Sequence, residues 1–303
     1  MNKGGKMSKI AFIYPGQGTQ YVGMGKELYE TNEIAKKYFD EIFDSLDLDL
    51  KETMFNGPEE KLKQTKYTQP AIVTMSLVLT KLLKESGIEA NYVAGHSLGE
   101  YSALGAANIL STCETVKLTA LRGEIMNTVA GEVDGTMAAI IGMESSEIEK
   151  ICKDIDGVVE AVNYNEPKQT VIAGSKDAIA TACDKLKEAG ARRAMVLAVS
   201  GPFHSSLMKP AGDRLKDNFD KFNFKEGNIE ILSNTKVEFI KDIENIKEEL
   251  YNQTFGPVRW VEIIEKLRDN GVTKFYEIGP GKVLKGLVRK IDKSLEVINI
   301  ETI

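Results

Sequence analysis

The chain of 303 residues contains little histidine and little cysteine, with two of the first and three of the second. The cysteines, Cys113, Cys152 and Cys183, are odd in number and far apart, which argues against a disulfide framework and against a zinc site. All three lie in segments that read as helix, so we expect buried, inert thiols in a reducing cytoplasm. We predict neither a metal nor any other cofactor.

The sequence also lacks long apolar runs and blocks of basic residues. No stretch approaches the ~18 apolar residues of a membrane helix, and the N-terminus has no apolar secretory segment, so we predict no membrane association. The net charge of −6 argues against nucleic-acid binding. Met7 is an alternative start, which would make the first six residues an extension.

Strands and helices alternate in the first and last parts of the chain. Residues 10–14 predict a buried strand, Pro70 is expected to open a helix, and residues 91–94 predict a second strand. Ser111 and Glu114 form a capping-box pattern at the start of a helix that runs to about residue 129. This alternation predicts a parallel sheet covered by helices on both faces.

The rhythm changes between residues 136 and 199. The order of elements there is β-α-β-β-α-β, which is the order of the ferredoxin-like unit. The unit is compact and complete, so we interpret it as an insertion. The predicted fold class is α/β, with a large domain formed by residues 1–129 and 201–303 and a small subdomain formed by residues 130–200.

The segment VAGHSLGEYSAL places Ser97 in a G-x-S-x-G pattern, with a strand before it and a helix after it. This context is typical of a nucleophile elbow, although a plain turn with Ser97 as a helix N-cap is the alternative. A serine nucleophile needs a base. His96 adjoins Ser97 and should point away from it, whereas His204 lies on a loop after the inserted unit. We therefore predict His204 as the base, its alternative being a packing histidine.

An acyl-transfer site also needs N–H donors for the anion that forms on the acyl oxygen. One candidate is the backbone N–H of Leu98, at the positive end of the helix after Ser97. The glycine-containing loop PGQGTQ, residues 15–20, is expected to supply another. No acidic residue stands out as a partner of His204, and a backbone carbonyl is the alternative.

Five segments together resemble one family. PGQGTQ, GHSLGEYSAL, RGEIM, GPFHS and EIGPGKVL have the order and spacing found in malonyl-CoA:acyl-carrier-protein transacylases of type II fatty acid synthesis. The resemblance spans residues 10–287. It implies a hydrolase-like α/β domain with a ferredoxin-like insertion. It also implies ping-pong transfer of malonyl from coenzyme A, through a malonyl-serine, to the phosphopantetheine thiol of an acyl carrier protein.

The resemblance assigns roles by position. It makes Ser97 the acylated nucleophile and His204 its base. Gln17 and the Leu98 N–H would form the oxyanion hole. The backbone carbonyl of Gln253 would receive the other N–H of the histidine, so that the residues work as a Ser–His dyad without an acid.

Substrate choice is assigned in the same way. Arg122 would bind the malonyl carboxylate, which suits a planar, two-pronged guanidinium, and the alternative is a surface arginine in an amphipathic helix. Phe203 resembles the malonyl-selecting form of its loop, although the preceding Gly201-Pro202 makes the match partial. Asn163 and Asn165 match family positions beside the cleft, and a role in a hairpin turn would explain these two asparagines equally well.

A carrier protein of this family is acidic, so its attraction to a chain with a net charge of −6 has to be local. The segment GKVLKGLVRKIDK offers Lys282, Arg289 and Lys290 as a docking surface, and a solvated helix face is the alternative. We expect a monomer that uses malonyl-CoA and a carrier, with no nucleic-acid or membrane partner.

Three other functions remain open at this point. A discrete malonyl-selective acyltransferase of a polyketide synthase would share every motif, and an acyl-thioester hydrolase would share the nucleophile and the oxyanion hole. The third is a catalytically silent carrier-binding scaffold. Such a scaffold would have no need to keep Ser97, His204 and Arg122, and all three are present.

Overall fold

The computed structural model describes residues 8–302, so the alternative start at Met7 lies outside the described residues. The strands are β1 (Lys9–Tyr14), β2 (Tyr92–Gly95), β3 (Gly135–Ile141), β4 (Val159–Glu166), β5 (Gln169–Ser175), β6 (Arg193–Val196), β7 (Glu230–Leu232), β8 (Phe239–Ile240), β9 (Val272–Ile278) and β10 (Glu296–Ile300). The helices are α1 (Lys26–Thr31), α2 (Glu33–Asp44), α3 (Leu50–Asn56), α4 (Glu59–Leu62), α5 (Thr65–Glu85), α6 (Gly99–Ala106), α7 (Thr112–Glu132), α8 (Ser145–Lys153), α9 (Lys176–Glu188), α10 (Lys209–Lys216), α11 (Ile243–Gln253), α12 (Trp260–Asp269) and α13 (Val283–Ile291).

The larger sheet has the strand order β10-β9-β1-β2-β7-β8. Its neighbouring strands run parallel, except for the antiparallel pair of β7 and β8 at one edge. Helices cover both faces, so the central strand β1 is apolar and fully buried from Ala11 to Tyr14. The predicted parallel-sheet core is confirmed.

The smaller sheet is antiparallel, with the order β4-β5-β3-β6. Alternate residues of β3 point to opposite faces. Ala138 and Ile140 join the apolar cluster under α8 and α9, whereas Met137 and Ala139 pack with Met126 of α7. The predicted βαββαβ unit is confirmed. The division of the chain at residues 129/130 and 200/201 stays a prediction, which the two separate sheets support.

Helix α5 begins earlier than the sequence suggested. It starts at Thr65 and contains Pro70 as an interior residue, so the prediction that Pro70 opens this helix is wrong. Packing holds the extra turn. Thr68 and Gln69 are buried, and the Thr65 carbonyl lies so close to Gly123 of α7 that a Cβ there would approach it to 2.6 Å. This burial compensates for the one helical hydrogen bond that proline cannot make.

Helix α7 begins at the predicted capping box. Ser111 Oγ accepts the Glu114 N–H, and the Glu114 carboxylate reaches back to the Ser111 N–H. The helix carries Arg122 in its buried face. The predicted start of this helix is confirmed, and packing of its buried face turns Arg122 inward.

The three cysteines lie in helices, as predicted, and none forms a disulfide. Cys152 and Cys183 are buried, and burial raises the pKa of both thiols. Cys113 is only partly buried, so the prediction of a buried thiol is wrong for this residue. Within residues 8–302, no helix combines the length and the apolar character that crossing a membrane requires.

Candidate active site

The turn between β2 and α6 holds Ser97 in a strained conformation. Its φ is 51°, in the left-handed region that side chains other than glycine rarely adopt. A Cβ on Gly95 would lie 1.8 Å from the carbonyl carbon of Gly99, and a Cβ on Gly99 would lie 2.0 Å from the Tyr14 oxygen. The backbone segments therefore approach too closely here for any side chain at these two positions. The sharp turn that results directs Ser97 into a cleft.

His204 lies beside Ser97. Its Nε2 is 2.7 Å from Ser97 Oγ, and its Nδ1 is 2.9 Å from the Gln253 carbonyl oxygen and 3.2 Å from that of Gly256. A carbonyl only accepts, so Nδ1 carries the proton and Nε2 is left to accept from the serine hydroxyl. Within residues 8–302, no acidic side chain hydrogen-bonds the imidazole.

Burial keeps both histidines neutral. Burial, together with the nearby Arg122 cation, lowers the pKa of His204 to about 3. Burial also lowers the pKa of His96, although its Nε2 lies 2.6 Å from Asn165 Oδ1. Nε2 of His204 therefore carries no proton at neutral pH and can accept the proton of the Ser97 hydroxyl.

Two backbone N–H groups border the same cleft. One belongs to Leu98, just before α6, and the other to Gln17, in the loop after β1. In the described part of the chain, neither N–H has an acceptor. Gly16 brings the loop to the elbow, because a Cβ there would lie 2.7 Å from the His96 oxygen. Gln17 and Leu98 therefore stay the predicted oxyanion-hole residues.

Arg122 is a buried cation at the side of the cleft. It is 1% exposed, its Nη2 donates to Gln253 Oε1 at 3.0 Å, and its guanidinium carbon lies 4.9 Å from the Tyr101 ring centre. Among residues 8–302, its Nε has no partner and no carboxylate forms an ion pair with it. A buried charge without a counterion is costly. The guanidinium therefore keeps a hydrogen-bond donor, Nε, that a ligand carboxylate could use.

Three polar residues around the elbow form one network. The Ser97 N–H donates to Asn234 Oδ1 at 2.8 Å, and the Ser97 carbonyl accepts from Gln253 Nε2 at 2.7 Å. The Glu100 carboxyl accepts from the Asn234 N–H at 3.0 Å and from Gln253 Nε2 at 2.8 Å. Sequence reasoning missed Asn234 and Glu100.

The two missed residues differ in how visible they are in the sequence. Asn234 follows β7, and the carboxyl end of a parallel strand is where sites of such sheets collect, so its position was a usable signal. Glu100 looks like an ordinary acidic residue in the first turn of a helix. Only packing shows that it is buried.

The small sheet completes the cleft. Met137, Leu197 and Phe203 line it together with Met126 of α7. Asn163 also lines it, and both Asn163 and Asn165 lie within β4, so the hairpin-turn explanation for these two residues is wrong. Across the described residues, no three His, Cys, Asp or Glu side chains come together as a metal site.

The basic residues of the C-terminal segment lie outside the cleft. Lys282, Arg289 and Lys290 are exposed at the start of α13 and along it, and Lys290 Nζ lies 3.1 Å from a carboxylate oxygen of Glu166. Apolar residues of α13 line an adjoining groove, which shares the Gln17 loop with the cleft. The structure thus brings six of the predicted site residues together and leaves these three on a neighbouring surface.

We expect that neither histidine titrates near pH 6.5 in the folded protein, because the pKa of each lies below that ordinary value. Histidine-selective NMR between pH 8 and pH 5 tests this directly, since the chain has two histidines. In the unfolded chain both rings take up a proton as the pH falls through about 6.5. The unfolded state then binds more protons, so the free energy of unfolding should decrease as the pH is lowered from there. A ring that titrates near pH 6.5 in the folded state would contradict the expectation.

Comparison with known proteins agrees over nearly the whole chain. The acyl transferase domain family matches residues 11–303. A malonyl CoA-acyl carrier protein transacylase of Bacillus subtilis (strain 168) is 45% identical over 297 residues, which cover 97% of this chain and 94% of that protein. Its counterpart from Staphylococcus aureus (strain MRSA252) is 40% identical over 300 residues, or 98% of this chain and 97% of that protein.

Solved structures agree as well. A crystal structure of an acyl carrier protein S-malonyltransferase from Vibrio cholerae O1 biovar eltor str. N16961 has a TM-score of 0.94 and 42% identity, over 98% of both chains. A malonyl-transacylase in complex with a type II PKS acyl-carrier protein has a TM-score of 0.94 and 38% identity, over 98% of this chain and 97% of that chain. The chain therefore belongs to the acyl transferase family, in the group of the malonyl CoA-acyl carrier protein transacylases.

Proposed function

We propose that this acyltransferase moves a malonyl group from coenzyme A to the phosphopantetheine thiol of an acyl carrier protein, in fatty acid biosynthesis. The observation that carries the proposal is the buried, unpaired Arg122 in the same cleft as the hydrogen-bonded Ser97 and His204. The names of the similar proteins agree with it.

In the first half-reaction, Ser97 Oγ attacks the thioester carbonyl of malonyl-CoA while His204 Nε2 takes its proton. The Gln17 and Leu98 N–H groups stabilise the oxyanion that forms. When the intermediate collapses, the carbon–sulfur bond breaks and His204 returns the proton to the leaving thiolate. Coenzyme A departs and malonyl-Ser97 remains.

The second half-reaction repeats these steps with the carrier thiol as nucleophile. His204 accepts the thiol proton, the sulfur attacks malonyl-Ser97, and the proton returns to Ser97 Oγ as the ester bond breaks. The Gln253 carbonyl keeps the proton of the ring on Nδ1 throughout, which is the role an acid has in a triad.

Arg122 links substrate binding to the base. Part of the lowering of the His204 pKa comes from the Arg122 cation. A malonyl carboxylate bound to Arg122 offsets that charge, so His204 becomes a stronger base when the correct substrate is present. An acetyl group brings no such charge.

The alternatives differ in what accepts the acyl group. A polyketide-synthase role is represented among the similar structures, and the identity of the carrier distinguishes it from fatty acid synthesis. A hydrolase would pass the acyl group to water. The buried Arg122 favours holding malonyl for a thiol acceptor.

We also propose that the protein is a cytoplasmic monomer. Size-exclusion chromatography with light scattering tests the monomeric state, and the mass of a dimer would contradict it.

Malonyl-CoA alone should leave one malonyl group on Ser97, because the nucleophile and its base are already in hydrogen-bond contact. Intact mass and peptide mapping measure this, and Ser97→Ala should abolish the adduct. His204→Ala should slow the acylation by about 10³-fold or more, as the loss of a base does. Adding pantetheine should discharge the adduct much faster than water does.

Two results would contradict this mechanism. One is a sequential kinetic pattern with no acylated peptide. The other is unchanged acylation in His204→Ala, which would move the role of base to another group, with His96 as the first candidate.

Arg122→Ala should lower kcat/KM for malonyl-CoA by an amount that corresponds to about 2–5 kcal/mol, the usual cost of removing one partner of a buried charged contact. Acetyl transfer should fall far less, since acetyl has no carboxylate to pair. Arg122→Lys should recover only part of the malonyl rate, because the two-pronged geometry is lost. Measuring both substrates with both variants decides the point. An equal drop for malonyl and acetyl would make Arg122 a structural residue.

We propose that the carrier docks at α13, over the groove beside the cleft. Val283 there is 54% exposed, and Lys282 and Arg289 are exposed cations that an acidic partner can pair with. Lys290 contributes less, because it is tied to Glu166. Exposed Arg192 and Arg193, at the edge of the small sheet, are further candidates.

Arg289→Glu should raise KM for the carrier about fivefold, since one exposed charge pair contributes about 1 kcal/mol or less. Acylation by malonyl-CoA should be unchanged, because this side chain lies outside the cleft. Lys37→Glu, in the exposed face of α2, is the matched control and should leave both half-reactions as they are. Equal effects of Arg289→Glu on the two half-reactions would count against docking at α13.

A further inference from the structure

We propose that Glu100 is a positioning residue that fixes the Ser97 nucleophile and the Arg122 guanidinium relative to each other. The part of the inference that concerns Arg122 rests on the proposed function, because that function assigns the malonyl carboxylate to this residue. The part that concerns the position of Ser97 does not depend on which acyl donor the protein uses. Glu100 touches neither residue through its own hydrogen bonds. It acts through Asn234 and Gln253, whose polar groups it binds from the buried side of the elbow.

The first branch runs through Asn234. The Glu100 carboxyl accepts the Asn234 backbone N–H at 3.0 Å, which fixes the loop after β7. The Asn234 side chain then donates to the Gly95 carbonyl at 2.7 Å and accepts the Ser97 N–H at 2.8 Å. Ser97 is in a strained left-handed conformation, and such strain persists only where surrounding contacts over-determine it.

The second branch runs through the side-chain amide of Gln253. Its Nε2 donates both to the Ser97 carbonyl and to the Glu100 carboxyl, at 2.7 and 2.8 Å. Both of these neighbours accept, so the nitrogen has to face them and the oxygen has to face the other way. Gln253 Oε1 is thereby presented to Arg122 Nη2, 3.0 Å away. A flipped amide would set donor against donor at the arginine.

These contacts make Glu100 the point where the two branches join. One branch holds the N–H of Ser97 and the other holds its carbonyl, so both peptide groups of the strained residue are fixed. The second branch also orients the cation that we assign to the malonyl carboxylate. Glu100 therefore sets the distance between the Ser97 nucleophile and the Arg122 guanidinium from the buried side of the elbow.

Glu100 differs from another buried carboxyl of the chain in what it hydrogen-bonds. It is 1% exposed, and burial, together with the nearby Glu249, raises its pKa. Another buried carboxyl, that of Glu277, binds the N–H groups of Leu284 and Lys285 and so stabilises the start of α13. Glu100 differs because both residues that it binds contact Ser97. Glu277 is thus a matched control.

The test compares Glu100→Gln with Glu277→Gln. Each variant keeps the shape of the side chain but turns one accepting oxygen into a donating NH2 group, so one of two hydrogen bonds is lost. Three quantities are measured: the rate at which a fluorophosphonate labels Ser97, kcat/KM for malonyl-CoA and acetyl-CoA, and thermal stability. The fluorophosphonate reports on Ser97 without any contribution from the malonyl carboxylate.

Glu100→Gln should slow the labelling of Ser97 by about 10²-fold, the effect of a small misplacement in a reacting group. It should lower kcat/KM for malonyl-CoA more than for acetyl-CoA, since the Gln253 amide that orients Arg122 is freed as well. Glu277→Gln should label at the wild-type rate, even though it is less stable. Labelling of Glu100→Gln at the wild-type rate, or equal slowing in both variants, would overturn the proposal.

The variant Asn234→Asp tests the first branch without the second. It also replaces Glu100→Gln as the test if that variant does not fold. It keeps the oxygen that accepts the Ser97 N–H and loses the bond to the Gly95 carbonyl. It should slow labelling while leaving the malonyl-to-acetyl ratio unchanged, because Asn234 does not contact Arg122. A changed ratio, or an unchanged labelling rate, would contradict the two-branch arrangement. Wild-type protein that is labelled by the fluorophosphonate but not acylated by malonyl-CoA would reject the proposed function and leave the Ser97 test intact.

Discussion

The close backbone approach at the elbow is the constraint on which the site depends. Gly95, Gly99 and the carbonyl of Tyr14 meet at distances that no Cβ would permit, and the intervening residue is forced into the left-handed region. The sheet and α6 stabilise this turn, because β1 and β2 pair in parallel directly beneath it. Every other group of the site is placed relative to the serine that the turn presents.

Charge is distributed around that serine in an unusual way. Within residues 8–302, a fully buried guanidinium forms no ion pair, a buried imidazole is held neutral, and a nearby buried carboxyl hydrogen-bonds amides and not the cation. Such an arrangement is costly in the empty protein. It becomes favourable when a ligand brings one carboxylate, and the binding of that ligand also raises the basicity of His204. Burial is the main cause of the low pKa of His204, and the Arg122 cation adds to it, so the residue that we assign to selectivity also affects the base.

The inserted sheet serves the site through its two faces. One face of β3 packs under α8 and α9 and makes the insertion stable, whereas the other packs on α7, the helix that carries Arg122. Met137 of β3 and Leu197, which follows β6, then line the cleft. The insertion is therefore a wall of the binding cleft and is held in place by its own apolar contacts.

The sequence alone determined what local patterns can carry: the adjacent strands β1 and β2 of the large sheet, the βαββαβ order, the capping box at Ser111, and the elbow around Ser97. With only two histidines, it also pointed to His204. Tertiary structure decided the rest. Pro70 lies inside α5 because packing against Gly123 outweighs one lost hydrogen bond, and Glu100 is buried although its position suggests exposure. Asn234 joins the elbow from 137 residues away. Local patterns report on the next few residues along the chain, whereas burial and long-range hydrogen bonds depend on which distant segments the fold brings together.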